Sequence, residues 1–178
     1  VGPSGVGKDS LIGFARTRLE PAGLIHVARR VVTRQADGGS EDHDSMDEAD
    51  FAAAEAAGEF ALSWDAHGLR YGLPIALEDD LNAGRVVVAN LSRAMIPALL
   101  ERYPDAVVVA VSAERDVLEQ RLAGRGRETA ASIQQRIERR VADRLPASTV
   151  RLDNSGPLEV AGEQLCMLQD VARLARRA

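Results

Sequence analysis

The 178-residue chain carries 22 Lys+Arg against 27 Asp+Glu, a net charge of −5, and its length suits one domain with a substantial core. That balance argues against a general nucleic-acid or membrane-surface binder. Its one cysteine, Cys166, rules out an internal disulfide and a Cys-rich zinc site, and no apolar run approaches the ~20 residues of a membrane span, so a soluble cytoplasmic protein is expected.

Residues 2 to 8 read Gly2-Pro3-Ser4-Gly5-Val6-Gly7-Lys8, the G-x-x-x-x-G-K core of a P-loop. Its glycines let backbone N–H groups converge on phosphates, the following helix points its positive end at them, and Lys8 adds a mobile charge. A glycine-rich turn that merely starts a helix is the alternative. The lysine, the spacing and an amphipathic run from Leu11 to Leu19 occur together, which favours the P-loop. Asp9 stands where Ser or Thr is usual. It can ligand Mg²⁺ directly, or leave that to Ser10 and sit beside a water of the metal shell; a favourable first-turn anion is the structural alternative. A P-loop follows a buried strand, yet only Val1 precedes Gly2, so the first strand is expected to be missing from the given chain.

The pattern predicts a helix over Lys8–Leu19, stopped by Glu20-Pro21 and Gly23, then short strands at Leu24–Val27 and Arg30–Thr33. Gln35–Asp44 is rich in Asp, Gly and Ser and reads as a loop. Ser45-Met46-Asp47-Glu48 reads as a capping box opening a helix through Ala57 that Gly58 ends. Phe60–Trp64 and Arg70–Gly72 have strand or turn character around His67-Gly68. Ile75–Ala83 is helical, and Val86–Ala89 is a buried-strand run. Further along come a helix near Ala94–Tyr103, a strand at Ala106–Val111, helices at Ala113–Ala123 and Ser132–Arg144, a strand at Thr149–Leu152 and a helix at Leu158–Ala175. Cys166 falls on the buried face of that last helix. Buried strands alternating with helices imply an α/β fold with a parallel sheet between helices and ligands at the carboxyl ends of the strands.

Four segments in order carry a resemblance. Gly2–Lys8, Thr33-Arg34, Gly58-Glu59-Phe60 through Tyr71-Gly72, and Leu122-Ala123-Gly124-Arg125-Gly126-Arg127 are similar to the G-P-S-G-x-G-K, T-T-R, G-E-F…Y-G and L-x-x-R-G segments of guanylate-kinase-like P-loop kinases. The resemblance implies one such domain over 1–178, with the P-loop at 2–10, a small acceptor-binding subdomain at about 28–74 and an Arg-rich lid at about 124–140. The departures bear on the substrate. Asp37 stands where guanylate kinases carry a second phosphate-gripping arginine, Leu62 takes the guanine-reading glutamate position, and Leu73-Pro74 replaces a hydroxyl dipeptide. Unpaired base donors would cost about 1–3 kcal/mol apiece, which disfavours GMP. Together with Ser40–His43, Ser63–Gly72, Ser92-Arg93 and Arg125–Glu128, the pattern resembles the ribose 1,5-bisphosphate phosphokinase family. That implies phosphorylation of ribose 1,5-bisphosphate by ATP to 5-phosphoribosyl diphosphate, linked to phosphonate breakdown. A guanylate or other small-metabolite kinase and a non-catalytic binding module are the alternatives.

The donor residues are then Gly2, Pro3, Ser4, Gly5, Val6, Gly7, Lys8, Asp9 and Ser10, with Asp9 and Ser10 toward Mg²⁺. Asn154, after the last strand, resembles the family's loop beside adenine, although a helix N-terminal turn explains it equally. Arg125, Arg127, Arg136 and Arg140 are the catalytic lid candidates beside Lys8. Arg136 and Arg140 are four apart on one helix face, where a salt-bridged surface is the alternative. Arg34 and Tyr71 would grip one acceptor phosphate and Arg93 the second; Glu41, Asp42 and Asp65 would meet ribose hydroxyls or orient the attacking oxygen. An acceptor phosphate oxygen is already anionic, so no general base is required. His43 and His67 lack a paired helical spacing and are expected to hydrogen-bond in surface loops. Trp64 is expected as a pocket wall or core residue. The partner expected is a small phosphorylated sugar, with neither nucleic acid nor membrane, for a monomer or homodimer.

Overall fold

The computed structural model describes residues 1–34, 43–66, 68–123 and 145–175. It divides into two compact units, Val1–Arg18 with Asn90–Ala178, and Leu19–Ala89. Among the described residues no helix is long and apolar enough to cross a membrane.

The first unit opens with the glycine loop and helix α1, Lys8–Leu19. A 3₁₀ turn at Arg93–Met95 leads into α2, here the short helix Ile96–Arg102. Two parallel strands, βA Val109–Ser112 and βB Val150–Asp153, pair in register from Val109↔Val150 to Ser112↔Asp153. Parallel neighbours need a crossover, and its first part is the helix α3, Arg115–Ala123. Val1 lies along βA: its amine donates to the Val109 carbonyl at 2.8 Å, and the Val111 N–H donates to the Val1 carbonyl at 2.9 Å. The last helix, α4, runs Leu158–Ala175. Val6, Leu11, Val111, Ala113, Leu118, Leu152 and Ala161 form the core, so the loop itself contributes a fully buried side chain. Helices α1 and α4 approach closely where Gly162 faces Phe14; a Cβ there would lie 2.5 Å from the ring. Arg18 and Glu163 pair across the same two helices. Cys166 is buried on α4 as its spacing predicts, and burial raises its thiol pKa, which suits packing better than nucleophilic chemistry.

In the second unit, strands βC Ile25–Val27 and βD Val86–Val88 pair in parallel, and the helix Leu77–Asn82 precedes βD. Strands βE Arg30–Val32, βF His43–Ser45, βG Phe60–Ala66 and βH Leu69–Pro74 form a separate four-stranded sheet in the order βF, βE, βH, βG. βE and βF are parallel and the other pairs antiparallel. The helix Glu48–Ala56 packs its Phe51 fully inside, stacked on Phe60 at 4.6 Å, and Gly58 ends that segment with φ +74°. Gly72 has to be side-chain free, since a Cβ would fall 2.5 Å from the Phe60 ring. Ser63 and Arg70 both donate to the Glu55 carboxylate, and the Ser63 hydrogen bond leads in holding its pKa below the usual value.

Two expectations need correction here. The helix is capped by Asp47, whose carboxylate accepts from the Asp50 N–H at 2.8 Å, because Ser45 is taken up by βF pairing with Val32. The end of the expected loop, His43 and Asp44, is likewise strand, and His43 is 7% exposed and not a surface loop residue. Gln35–Asp42 lies outside the described residues, as does the helix expected at Ser132–Arg144.

Candidate active site

The glycine loop is shaped from behind by residues distant in sequence. Gly5 and Gly7 adopt φ +81° and +88°, which favours glycine. Both are also hemmed in: a Cβ on Gly5 would lie 2.7 Å from Leu122 Cδ2, and one on Gly7 would lie 2.5 Å from Asn154 Nδ2. Asn154, 2% exposed just past βB, donates from Nδ2 to the Val6 carbonyl at 2.8 Å, and Arg121 Nη1 donates to the same oxygen at 3.4 Å. The Asn154 backbone N–H donates to the Ser112 carbonyl at 2.7 Å, which holds it at the end of βA. A trans peptide directs its C=O and the following N–H oppositely. Pinning the Val6 oxygen therefore directs the Gly7 N–H away from Asn154, and the loop keeps the form an anion needs. Lys8 Nζ folds over the loop and donates to the carbonyls of Gly2 and Pro3, both at 2.9 Å.

Asp9, in the first turn of α1, accepts from Asn90 Nδ2 at 3.0 Å through Oδ1, while Ser10 is exposed. Asn90 was not among the residues singled out by spacing. Nor was Arg121, which with Leu122, the first residue of the L-x-x-R-G segment, forms the last turn of α3 against the loop. No group of three or more His, Cys, Asp or Glu side chains converges as a metal cage among the described residues. Mg²⁺ in a phosphoryl-transfer site needs none, because it takes phosphate and water oxygens beside one or two protein ligands. Asp9 and Ser10 are oxygen donors of that kind. A nucleotide fits as well: the glycines leave a cradle that side chains would fill, and Asn154 Oδ1 is a buried acceptor without a hydrogen-bond partner among the described residues.

The acceptor candidates divide. Thr33 is tied to Arg70 twice, its N–H donating to the Arg70 carbonyl at 3.0 Å and its hydroxyl accepting from the Arg70 N–H at 2.8 Å; this ties down the segment that carries half-buried Arg34. Tyr71, on βH, stacks on Trp64 at 5.4 Å with planes 9° apart, and the Arg30 guanidinium lies 5.7 Å from its ring centre. Trp64 is thus a half-buried wall beside Tyr71. Asp65 is exposed, with Arg70 Nε 3.8 Å from its Oδ1. Arg93 sits half-buried in the 3₁₀ turn of the first unit. Glu41, Asp42, His67, Arg125, Arg127, Arg136 and Arg140 lie outside the described residues.

Asn154→Ala is expected to weaken binding of a phosphate-bearing ligand at the loop by up to about tenfold, since one of the two side-chain hydrogen bonds to the Val6 carbonyl is lost at a cost on the order of 1 kcal/mol. Titration with a fluorescent ATP analogue measures it, and unchanged affinity in a folded variant would show that the loop holds its shape without this amide.

No family model matches the chain. It is 53% identical over 166 residues to "Ribose 1,5-bisphosphate phosphokinase PhnN" of Chelativorans sp. (strain BNC1), covering 92% of this chain and 79% of that protein. A protein of the same name from Brucella melitensis biotype 2 is 46% identical over 176 residues, covering 98% and 91%. Among solved structures, guanylate kinase from Anaplasma phagocytophilum matches 97% of this chain and 82% of its own with a TM-score of 0.64 at 20% identity, a likeness of fold. The chain belongs to the ribose 1,5-bisphosphate phosphokinase family and has the α/β fold of P-loop kinases.

Proposed function

We propose that this chain transfers the γ-phosphoryl group of ATP to ribose 1,5-bisphosphate, releasing ADP and 5-phosphoribosyl diphosphate. The observation that carries the reading is the 53% identity, over 92% of the chain, to a relative named for that substrate. The site chemistry agrees with a small anionic acceptor. Leu62 and Leu73, at the positions that read guanine in the kinases it resembles, are 8% and 2% exposed and carry no hydrogen-bonding group.

An oxygen of the acceptor's 1-phosphate attacks the γ-phosphorus, the bond from that phosphorus to the β–γ bridging oxygen breaks, and its electron pair leaves with ADP. The attacking oxygen is already anionic, so no side chain has to take a proton. The protein supplies position and positive charge. Lys8 and the loop amides hold the donor phosphates, with Asn154 offering its free carbonyl oxygen to the adenine amine. Arg34 and Tyr71 grip one acceptor phosphate and Arg93 the other, Glu41, Asp42 and Asp65 meet the ribose, and Arg125, Arg127, Arg136 and Arg140 bring charge from the lid. Asp9 and Ser10 would hold Mg²⁺, which when bound would supply charge neutralisation at the donor phosphates. A dependence on ATP suits a cytoplasmic enzyme, and the product suits a role in phosphonate breakdown.

Incubation with ATP, Mg²⁺ and ribose 1,5-bisphosphate should produce the paired phosphorus resonances of a new sugar diphosphate, with GMP, AMP and gluconate giving little ADP in parallel. Preferential phosphorylation of GMP would overturn the substrate assignment.

A further inference from the structure

P-loop nucleotide enzymes commonly hold Mg²⁺ between a hydroxyl on the residue after the loop lysine and a carboxylate carried on a second segment. In this chain the residue after Lys8 is the carboxylate, Asp9, and the side chain that reaches it from the other segment is an amide. Asn90, two residues past βD, donates from Nδ2 to Asp9 Oδ1 at 3.0 Å, and both residues are half-buried. Either arrangement contains one carboxylate, one neutral group and a hydrogen bond between them.

We propose that the two positions have exchanged roles: Asp9 supplies the anionic oxygen toward Mg²⁺, and Asn90 is the positioning residue that holds that carboxylate in place. The terminal torsion of an aspartate is broad, so an untethered carboxylate would turn freely. The Asn90 bond occupies Oδ1 and leaves Oδ2, which has no hydrogen bond among the described residues, as the oxygen offered to the ion. An aspartate at 90 would set two carboxylates against each other with no donor between them, where the amide now supplies one at 3.0 Å. A neutral donor at 90 therefore suits an acid at 9. The exchange rests on the nucleotide-binding reading given above and adds to it which residue bears the charge and which orients it.

The test is the affinity for a fluorescent, non-hydrolysable ATP analogue measured with and without Mg²⁺, with the electron spin resonance of Mn²⁺ reporting the ion directly, on wild type, Asp9→Ser, Asn90→Ala and the double variant Asp9→Ser/Asn90→Asp. Thermal melts accompany each. The metal-free affinity of each variant is its own baseline, since Asp9→Ser also removes a negative charge from beside the donor phosphates. Asp9→Ser should lose the tightening that Mg²⁺ brings, and Asn90→Ala should weaken Mn²⁺ binding about tenfold, as loss of an outer-shell partner does. The double variant, with the hydroxyl and the acid in the common arrangement, should regain most of the metal-dependent tightening. A folded double variant no better than Asp9→Ser, or full metal-dependent tightening in Asp9→Ser, overturns the exchange. Should the double variant fail to fold, unchanged Mn²⁺ affinity in Asn90→Ala overturns it instead. Failure of the analogue to bind wild type with or without metal would sink the nucleotide reading itself, and the exchange with it.

Discussion

Lys8→Ala is expected to slow phosphoryl transfer by on the order of 10²–10³ while leaving the protein folded, the scale of losing one preorganised charge from a transfer site. In the structure the ammonium sits over the loop and donates to the Gly2 and Pro3 carbonyls, both at 2.9 Å. Those residues are half-buried, so water can replace the lost donors and the effect on stability stays near that of ordinary exposed hydrogen bonds. Under the proposed mechanism the loss falls on turnover, because positive charge beside the γ-phosphate would matter most as the bridging bond lengthens. Lys8→Arg should not restore the rate, since a planar fork cannot reproduce a compact ammonium in this turn. Steady-state kinetics beside melting curves decide it. Turnover within threefold of wild type would remove the lysine from the chemistry.

Phe51→Ala should destabilise the unit Leu19–Ala89 by about 3–5 kcal/mol, the usual cost of emptying a buried aromatic site. Phe51 is 0% exposed, stacks on Phe60 at 4.6 Å, and carries the Arg70 guanidinium 4.6 Å from its ring centre. Alanine leaves a cavity beneath Phe60 and strips Arg70 of its cation–π contact, though not of its bond to Glu55. Total stabilities are commonly about 5–15 kcal/mol, so the melting temperature should fall by roughly 6–20 °C for a chain of this size. Phe51→Leu should recover part of that. A fall of less than about 3 °C would show that the ring is not the keystone its burial indicates.

The first and last helices and the glycine loop were legible because their signals are local. A lysine after spaced glycines, a Pro–Gly stop and an apolar stripe along Leu158–Ala175 each lie within a few turns of chain. βF was not legible: His43–Ser45 has no apolar alternation and exists through backbone pairing to βE. The cap signature at Ser45 was a true pattern set in competition with that pairing, and Asp47 took the helix instead. At the site, the loop residues could be read from spacing, whereas Asn90, Arg121 and the structural side of Asn154 could not. Their hydrogen bonds to Asp9 and Val6 span 81, 115 and 148 residues, and no short window of sequence contains both partners.

The tether on the Val6 carbonyl has a kinetic consequence. Because Asn154 and Arg121 already grip that oxygen, the loop that would receive a triphosphate under the proposed function has its shape beforehand, and little backbone freedom would remain to be lost on docking. Association should therefore be a single fast phase limited by encounter, and loosening the tether should appear first as a slow rearrangement following collision.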